Sequence, residues 1–162
     1  MKKIVIQIIA AIMIFNLVSI FKESSLLDSS GELAAPYFYL PLLNKVDEKV
    51  SLAEFKDQKT VIYFFAPWCS ICRVSMPNLQ NKVTDGSLNA IAIALDFDSQ
   101  EQVTEFTKDL GISFPVLLGN HQVRQNYQIK AYPTYYVIDE NLKISGRSMA
   151  YSTELGLAIR GS

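Results

Sequence analysis

Residues 64–77 read FFAPWCSICRVSMP and hold both cysteines of the chain, Cys69 and Cys72. Upstream, KTVIYFF at 59–65 is, after Lys59, an unbroken run of β-branched and aromatic residues, the composition of a strand buried on both faces. Downstream, Cys72, Met76, Leu79 and Val83 recur at spacings of three and four, which predicts a helix from Cys69 to about Val83. The thiols therefore fall on a strand-to-helix junction. Thiols so placed can ligate a metal, staple the chain or exchange electrons.

Each option makes its own demands. A structural zinc site takes four Cys or His ligands, and the chain offers two cysteines and a single histidine, the distant His121. Cu(I) suits soft sulfur better. Met76, one turn beyond Cys72, could join the thiolates, or could simply pack into the core. A staple across two intervening residues would remove little chain entropy. Electron exchange has a positive mechanism: a cysteine at a helix N-terminus meets the positive end of the dipole and unpaired N–H groups, which favour its thiolate. On that reading Cys69 is the nucleophile and Cys72 the resolving thiol. Arg73, four residues after Cys69, adds a cation if it folds back and is otherwise an exposed helix charge.

The chain has 162 residues, with 15 basic and 16 acidic side chains, enough for one domain plus an appendage. Charges this balanced give no electrostatic reason to expect nucleic acid. Between Lys3 and Lys22 no charge interrupts an apolar run that, as a helix, matches the hydrocarbon core of a bilayer. Residues 1–21 are expected to be an uncleaved membrane anchor; a cleaved secretory signal or a buried core helix are the alternatives. Lys2 and Lys3 favour a cytoplasmic N-terminus. The body would then lie on the periplasmic or extracytoplasmic side of the cell membrane, where disulfide chemistry is possible. Residues 22–34, polar and serine-rich with Gly31, read as a tether, and 35–162 as the folded domain.

Within that domain PYFYLPLL and EKVSL predict strands separated by NKVDE, and SLAEFKD a helical turn capped by Ser51. LNAIAIAL at 88–95 is a second buried strand. Ser99 and Gln102 form a candidate capping box for a helix with Val103, Phe106 and Leu110 on its apolar stripe, stopped by Gly111. SFPVLLG is extended, NHQVRQNYQI a short helix with a surface His121, and TYYVID and LKISGR a strand pair. A last short helix, STELGLAIR, is capped by Ser152. Alternating strands and helices predict an α/β domain with helices on the faces of its sheet.

With these landmarks in place, the sequence resembles the thioredoxin-like superfamily, specifically the membrane-tethered TlpA/ResA/DsbE-type thiol–disulfide oxidoreductases. WCSIC stands at the strand-to-helix junction, Pro77 lies inside the following helix, and AYPTYYVID places Tyr132-Pro133-Thr134 before a late strand. The resemblance covers about residues 35–160, and APYFYLPLL fits the extra N-terminal β-hairpin of this branch. It implies a central mixed sheet flanked by helices and a redox-active Cys69–Cys72 pair with no other cofactor. It also implies that Trp68 shields the disulfide, that Pro133 is cis and abuts it, and that the Tyr132 backbone pairs with a substrate strand. Plainer roles are core filler for Trp68 and a trans turn for Pro133. The ending STELGL is similar to the copper-sensitivity-suppressor D type.

Two departures matter. Thioredoxin carries a buried aspartate where this chain has Tyr63, and the ResA-like branch a glutamate where it has Ser75. Both acids are thought to handle the resolving thiol's proton, leaving water, the Tyr63 or Ser75 hydroxyls, or the substrate to do so here. The dipeptide between the cysteines, Ser70-Ile71, has neither the histidine of strong oxidants nor the Gly-Pro of thioredoxin, so it leaves direction open. The resemblance favours a reductase of exported proteins fed by a membrane electron donor. The alternatives are a disulfide oxidase or isomerase, and a Cu(I)-binding chaperone-like module.

Overall fold

The computed structural model describes residues 25–149, together with Gln7, Ile9 and Met13. The expected anchor at 1–21 and closing helix at 152–160 lie outside the described residues apart from those three. Among the described residues no helix is long and apolar enough to cross a membrane.

The apolar run ahead of the cysteines forms β3 (Thr60–Phe65), every residue of which is buried. It sits inside a seven-stranded mixed sheet with β1 (Tyr39–Leu42), β2 (Lys45–Ser51), β4 (Asn89–Ala94), β5 (Val116–Leu118), β6 (Thr134–Ile138) and β7 (Ile144–Met149), in the order β2-β1-β5-β4-β3-β6-β7. β3 runs parallel to β4 and antiparallel to β6. Because strand side chains alternate between faces, β3 feeds two cores at once. Val61, Tyr63 and Phe65 join the cluster under helices α1 (Ser70–Thr84) and α2 (Gln100–Asp109). Ile62 and Phe64 join the other, with Val123 of α3 (His121–Asn126) and Tyr127 just beyond it. β4 shows why size matters: Ala90, Ala92 and Ala94 face α1 and α2, while Ile91 and Ile93 fill the opposite core. Small residues on one face let the helices approach, and Phe65 stacks on Phe106 at 5.2 Å.

The expected α/β architecture with its N-terminal hairpin and Ser51-capped turn is present, with two differences in detail. The β1–β2 turn is tight, so most of NKVDE belongs to β2, whose charged residues are exposed on a sheet edge. Ser51 caps a 3₁₀ turn at Leu52–Phe55 through a full capping box with Glu54. At α2, by contrast, Ser99 accepts the Gln102 N–H at 3.4 Å, but the Gln102 side chain turns back to the N–H and carboxylate of Asp98. Asp98 supplies the closer polar partner, and the box is only half made.

Residues 25–34 do more than tether. Leu26 is 5% exposed and packs in the second core. The Leu27 amide donates to the Tyr136 hydroxyl, which in turn donates to the Tyr127 carbonyl, and Arg147 donates to the carbonyls of Leu26 and Leu27. Gly31, Leu33 and Ala35 bond to the chain at Leu142 and Ile144, and Ala34 bridges Lys143, which shields the start of the β7 edge. A serine-rich composition reads as a linker because it lacks apolar periodicity; one leucine and a run of backbone bonds suffice to dock it. Leu26→Ala is therefore expected to cost about 2–4 kcal/mol, read as a lower urea midpoint at unchanged slope. A segment acting only as a linker would leave the midpoint where it was.

Candidate active site

β3 ends at Phe65, and the loop through Ala66 and Pro67 delivers Trp68 and Cys69 to the start of α1. Cys69 is the N-cap: its backbone is extended, and its Sγ accepts the Cys72 N–H at 3.0 Å. Sulfur thus takes the place usually held by a Ser, Thr, Asp or Asn oxygen. Cys69 and Cys72 are joined as a disulfide with Cα atoms 5.2 Å apart. Cys69 keeps 6% of its surface in solvent and Cys72 none. The thiol that can be reached is the one at the positive end of the helix, as a nucleophile requires. Cys72, Ser75, Met76 and Leu79 form the buried stripe of α1, and Ser70, Ile71 and Val74 face outward. Met76, weighed as a copper ligand, is fully buried in the core.

Arg73 does not turn to the cysteines. Its guanidinium lies 4.9 Å from the Phe106 ring centre and 3.4 Å from an Asp109 oxygen.

The register of β3 with β6, Phe64 opposite Thr134, brings Tyr132 and Pro133 to the end of the sheet where Pro67 and Trp68 lie. The Tyr132–Pro133 bond is cis and Pro133 is buried. Trp68 is no core filler, being 65% exposed. Its indole N–H donates to the Asp96 carbonyl at 2.8 Å, and its ring meets Tyr132 edge-on at 5.7 Å.

Tyr63 and Ser75, the two positions lacking an acid, are brought together: their hydroxyls hydrogen-bond at 2.8 Å inside the core. Tyr63 points to the helix side of β3, and Ser75 lies three residues after Cys72 on the buried face of α1. Burial pushes the Tyr63 hydroxyl well above the ordinary tyrosine range, against a smaller opposing effect of the Ser75 bond. Tyr63 therefore stays protonated and can relay a proton but not serve as a base. Among the described residues no group of three or more His, Cys, Asp and Glu is placed to hold a metal.

Two further residues of the site, Asp96 and Arg124, carry no motif in the sequence. Asp96 accepts from Arg124 at 3.0 Å and from the Tyr132 hydroxyl at 2.9 Å. The one available signal was position: an acid just past the C-terminal end of a buried strand, where α/β sheets gather their sites.

A redox disulfide on this fold defines a class, the thioredoxin-like thiol–disulfide oxidoreductases. A family model described as the AhpC/TSA family matches residues 32–147, and the chain belongs to that family. Within it the chain is of the TlpA/ResA/DsbE type. It is 33% identical over 110 residues to the thioredoxin-like protein YneN of Bacillus subtilis, an alignment spanning 65% of this chain and 64% of YneN, just under two thirds of that relative's length. It is 29% identical over 146 residues to the thiol-disulfide oxidoreductase ResA of Oceanobacillus iheyensis, covering 86% of this chain and 75% of that protein. A thiol:disulfide interchange protein of the thioredoxin family from Chlorobium tepidum has the same fold, with a TM-score of 0.70 at 23% identity over 79% of this chain and 92% of that one.

Tyr63 and Tyr127 are both buried, and burial raises both hydroxyls above the unfolded value. The folded state then holds protons that the unfolded chain releases above about pH 10, so stability falls as pH rises through that value. Urea unfolding is expected to show this alkaline fall, shallower in Tyr63→Phe. A profile identical in the two proteins would remove the Tyr63 contribution.

Proposed function

We propose that this chain reduces disulfides of exported proteins, held by residues 1–21 at the extracytoplasmic face of the cell membrane and recharged by a membrane electron donor. In the reduced protein the Cys69 thiolate attacks one sulfur of a substrate disulfide, forming a mixed disulfide and releasing the first substrate thiolate. The Cys72 thiolate then attacks Cys69 Sγ, which releases the second substrate thiolate and leaves the Cys69–Cys72 disulfide. Two electrons pass to the substrate, whose two sulfurs take up the protons given up by the enzyme thiols. The donor dithiol restores them.

The observation that carries the direction is where Arg73 goes. Oxidising members of such a series owe their potential to a strongly stabilised thiolate. Here the neighbouring cation is engaged by Phe106 and Asp109, and Ser70-Ile71 brings no histidine, so the helix N-terminus acts on Cys69 without a second cation from these neighbours. Weaker thiolate stabilisation lowers the potential, which supports the reductase reading over the oxidase one. The apolar surface of Trp68, Ile71 and Val74 beside the disulfide suits an unfolded or extended polypeptide substrate.

Two measurements follow. The reduction potential of the full chain in defined thiol–disulfide buffers is expected at or below about −220 mV, whereas a value near about −120 mV would make it an oxidase. Ser75→Glu, which returns an acid near Cys72, is expected to speed resolution of the mixed disulfide in stopped-flow exchange. No acceleration would mean that proton removal from Cys72 does not limit the step.

A further inference from the structure

Asp96 stands two residues past β4, at φ +50°, where the chain leaves the sheet. Three donors from three separate elements converge on it. Trp68, from the loop before α1, donates to its carbonyl. Tyr132, from the turn before β6, donates to one carboxylate oxygen, and Arg124, from α3, to the other. Arg124 is itself anchored by its Nε, which donates to the Ile129 carbonyl at 3.3 Å. The placing of α3 depends on Gly119, where a Cβ would meet Leu95, Ala94 and Ile93 atoms at 2.6–2.7 Å. Only glycine lets the start of this helix close on the end of β4.

An aromatic ring as exposed as Trp68 would ordinarily turn freely. Here its N–H is tied to one side of Asp96, and its ring leans edge-on against a Tyr132 ring tied to the other. We propose that Asp96 is a positioning residue for exchange with polypeptide substrates: it locks Trp68 and Tyr132 into one preformed wall beside the disulfide. This rests on the exchange reading above. A wall ordered in advance lowers the entropy lost when an extended chain docks. A small thiol that needs only the sulfur gains nothing from it.

The chemistry of the carboxylate makes the role testable. Its two oxygens serve two donors at once, whereas an amide has a single oxygen acceptor. Asn also tolerates positive φ, so Asp96→Asn changes the side chain without straining the backbone. Tyr132→Phe deletes the same bond from the other end. The full chain and these variants are to be assayed for reduction of an extended peptide with one internal disulfide, with dithiothreitol as the turnover reductant and its direct reaction with the peptide subtracted, and separately for reduction of their own disulfide by dithiothreitol. In D96N and Y132F the KM for the peptide is expected to rise about fivefold with little change in kcat, and the double variant to be no worse than either single. In each variant the dithiothreitol rate is expected to fall less than kcat/KM for the peptide does. Both variants keep the Trp68 N–H bond to the Asp96 main-chain carbonyl but free the Tyr132 ring against which Trp68 leans, so the fluorescence anisotropy of Trp68, the single tryptophan, is expected to fall in both. An unchanged KM and anisotropy in D96N, multiplying effects in the double variant, or a parallel loss of the dithiothreitol rate would each overturn the proposal. A parent protein that exchanges with neither probe would instead remove the exchange reading, and this proposal with it.

Discussion

The bond from the Cys72 N–H to Cys69 Sγ is the constraint around which the molecule is arranged. A helix needs an acceptor at its N-cap, and here the acceptor is the reactive atom itself. For sulfur to sit there, β3 must end four residues earlier, at one end of the strands of a sheet covered on both faces. The helix must then bury the side that carries Cys72. Both conditions follow from composition, an all-buried strand feeding two cores and a helix stripe of Cys72, Ser75, Met76 and Leu79. The cap also makes two chemically identical thiols unequal. Cys69 is reachable and faces the helix dipole, while Cys72 is sealed beneath it.

Around that cap the protein spends polar groups sparingly. The core beside Cys72 contains a hydroxyl pair, Tyr63 with Ser75, at the positions where acids are expected from the family pattern. Two neutral partners satisfy each other at low cost, whereas a lone buried carboxylate would carry a desolvation penalty or remain protonated. The chain thus gives up a proton acceptor near the resolving thiol and keeps these two buried hydroxyls paired. On the surface, Arg73 is committed to Phe106 and Asp109, and Asp96 gathers Trp68, Tyr132 and Arg124.

What the sequence made legible follows the range of the interactions. β3, β4 and α1 could be read because period and composition are local properties, and Cys69, Cys72 and Tyr132-Pro133 because they form short motifs. The β1–β2 turn is not legible because Lys45–Ser51 is an exposed edge strand whose charges obscure the alternation. The segment at 22–34 reads as a linker because the docking of its described part, 25–34, rests on Leu26 and on backbone bonds to distant residues. Tyr63 and Ser75 were each singled out, but their bond spans strand and helix. Asp96 and Arg124 lay wholly out of reach, since nothing near either one in the chain announces that the fold will bring Trp68 and Tyr132 to them.

The central claim is the inequality of the two thiols. It is tested most directly by alkylating the reduced full chain with iodoacetamide at neutral pH and following each cysteine separately by mass spectrometry. Capping by sulfur at the helix N-terminus requires Cys69 to be modified first, about tenfold or more ahead of Cys72. Equal rates, or Cys72 modified first, would contradict the account.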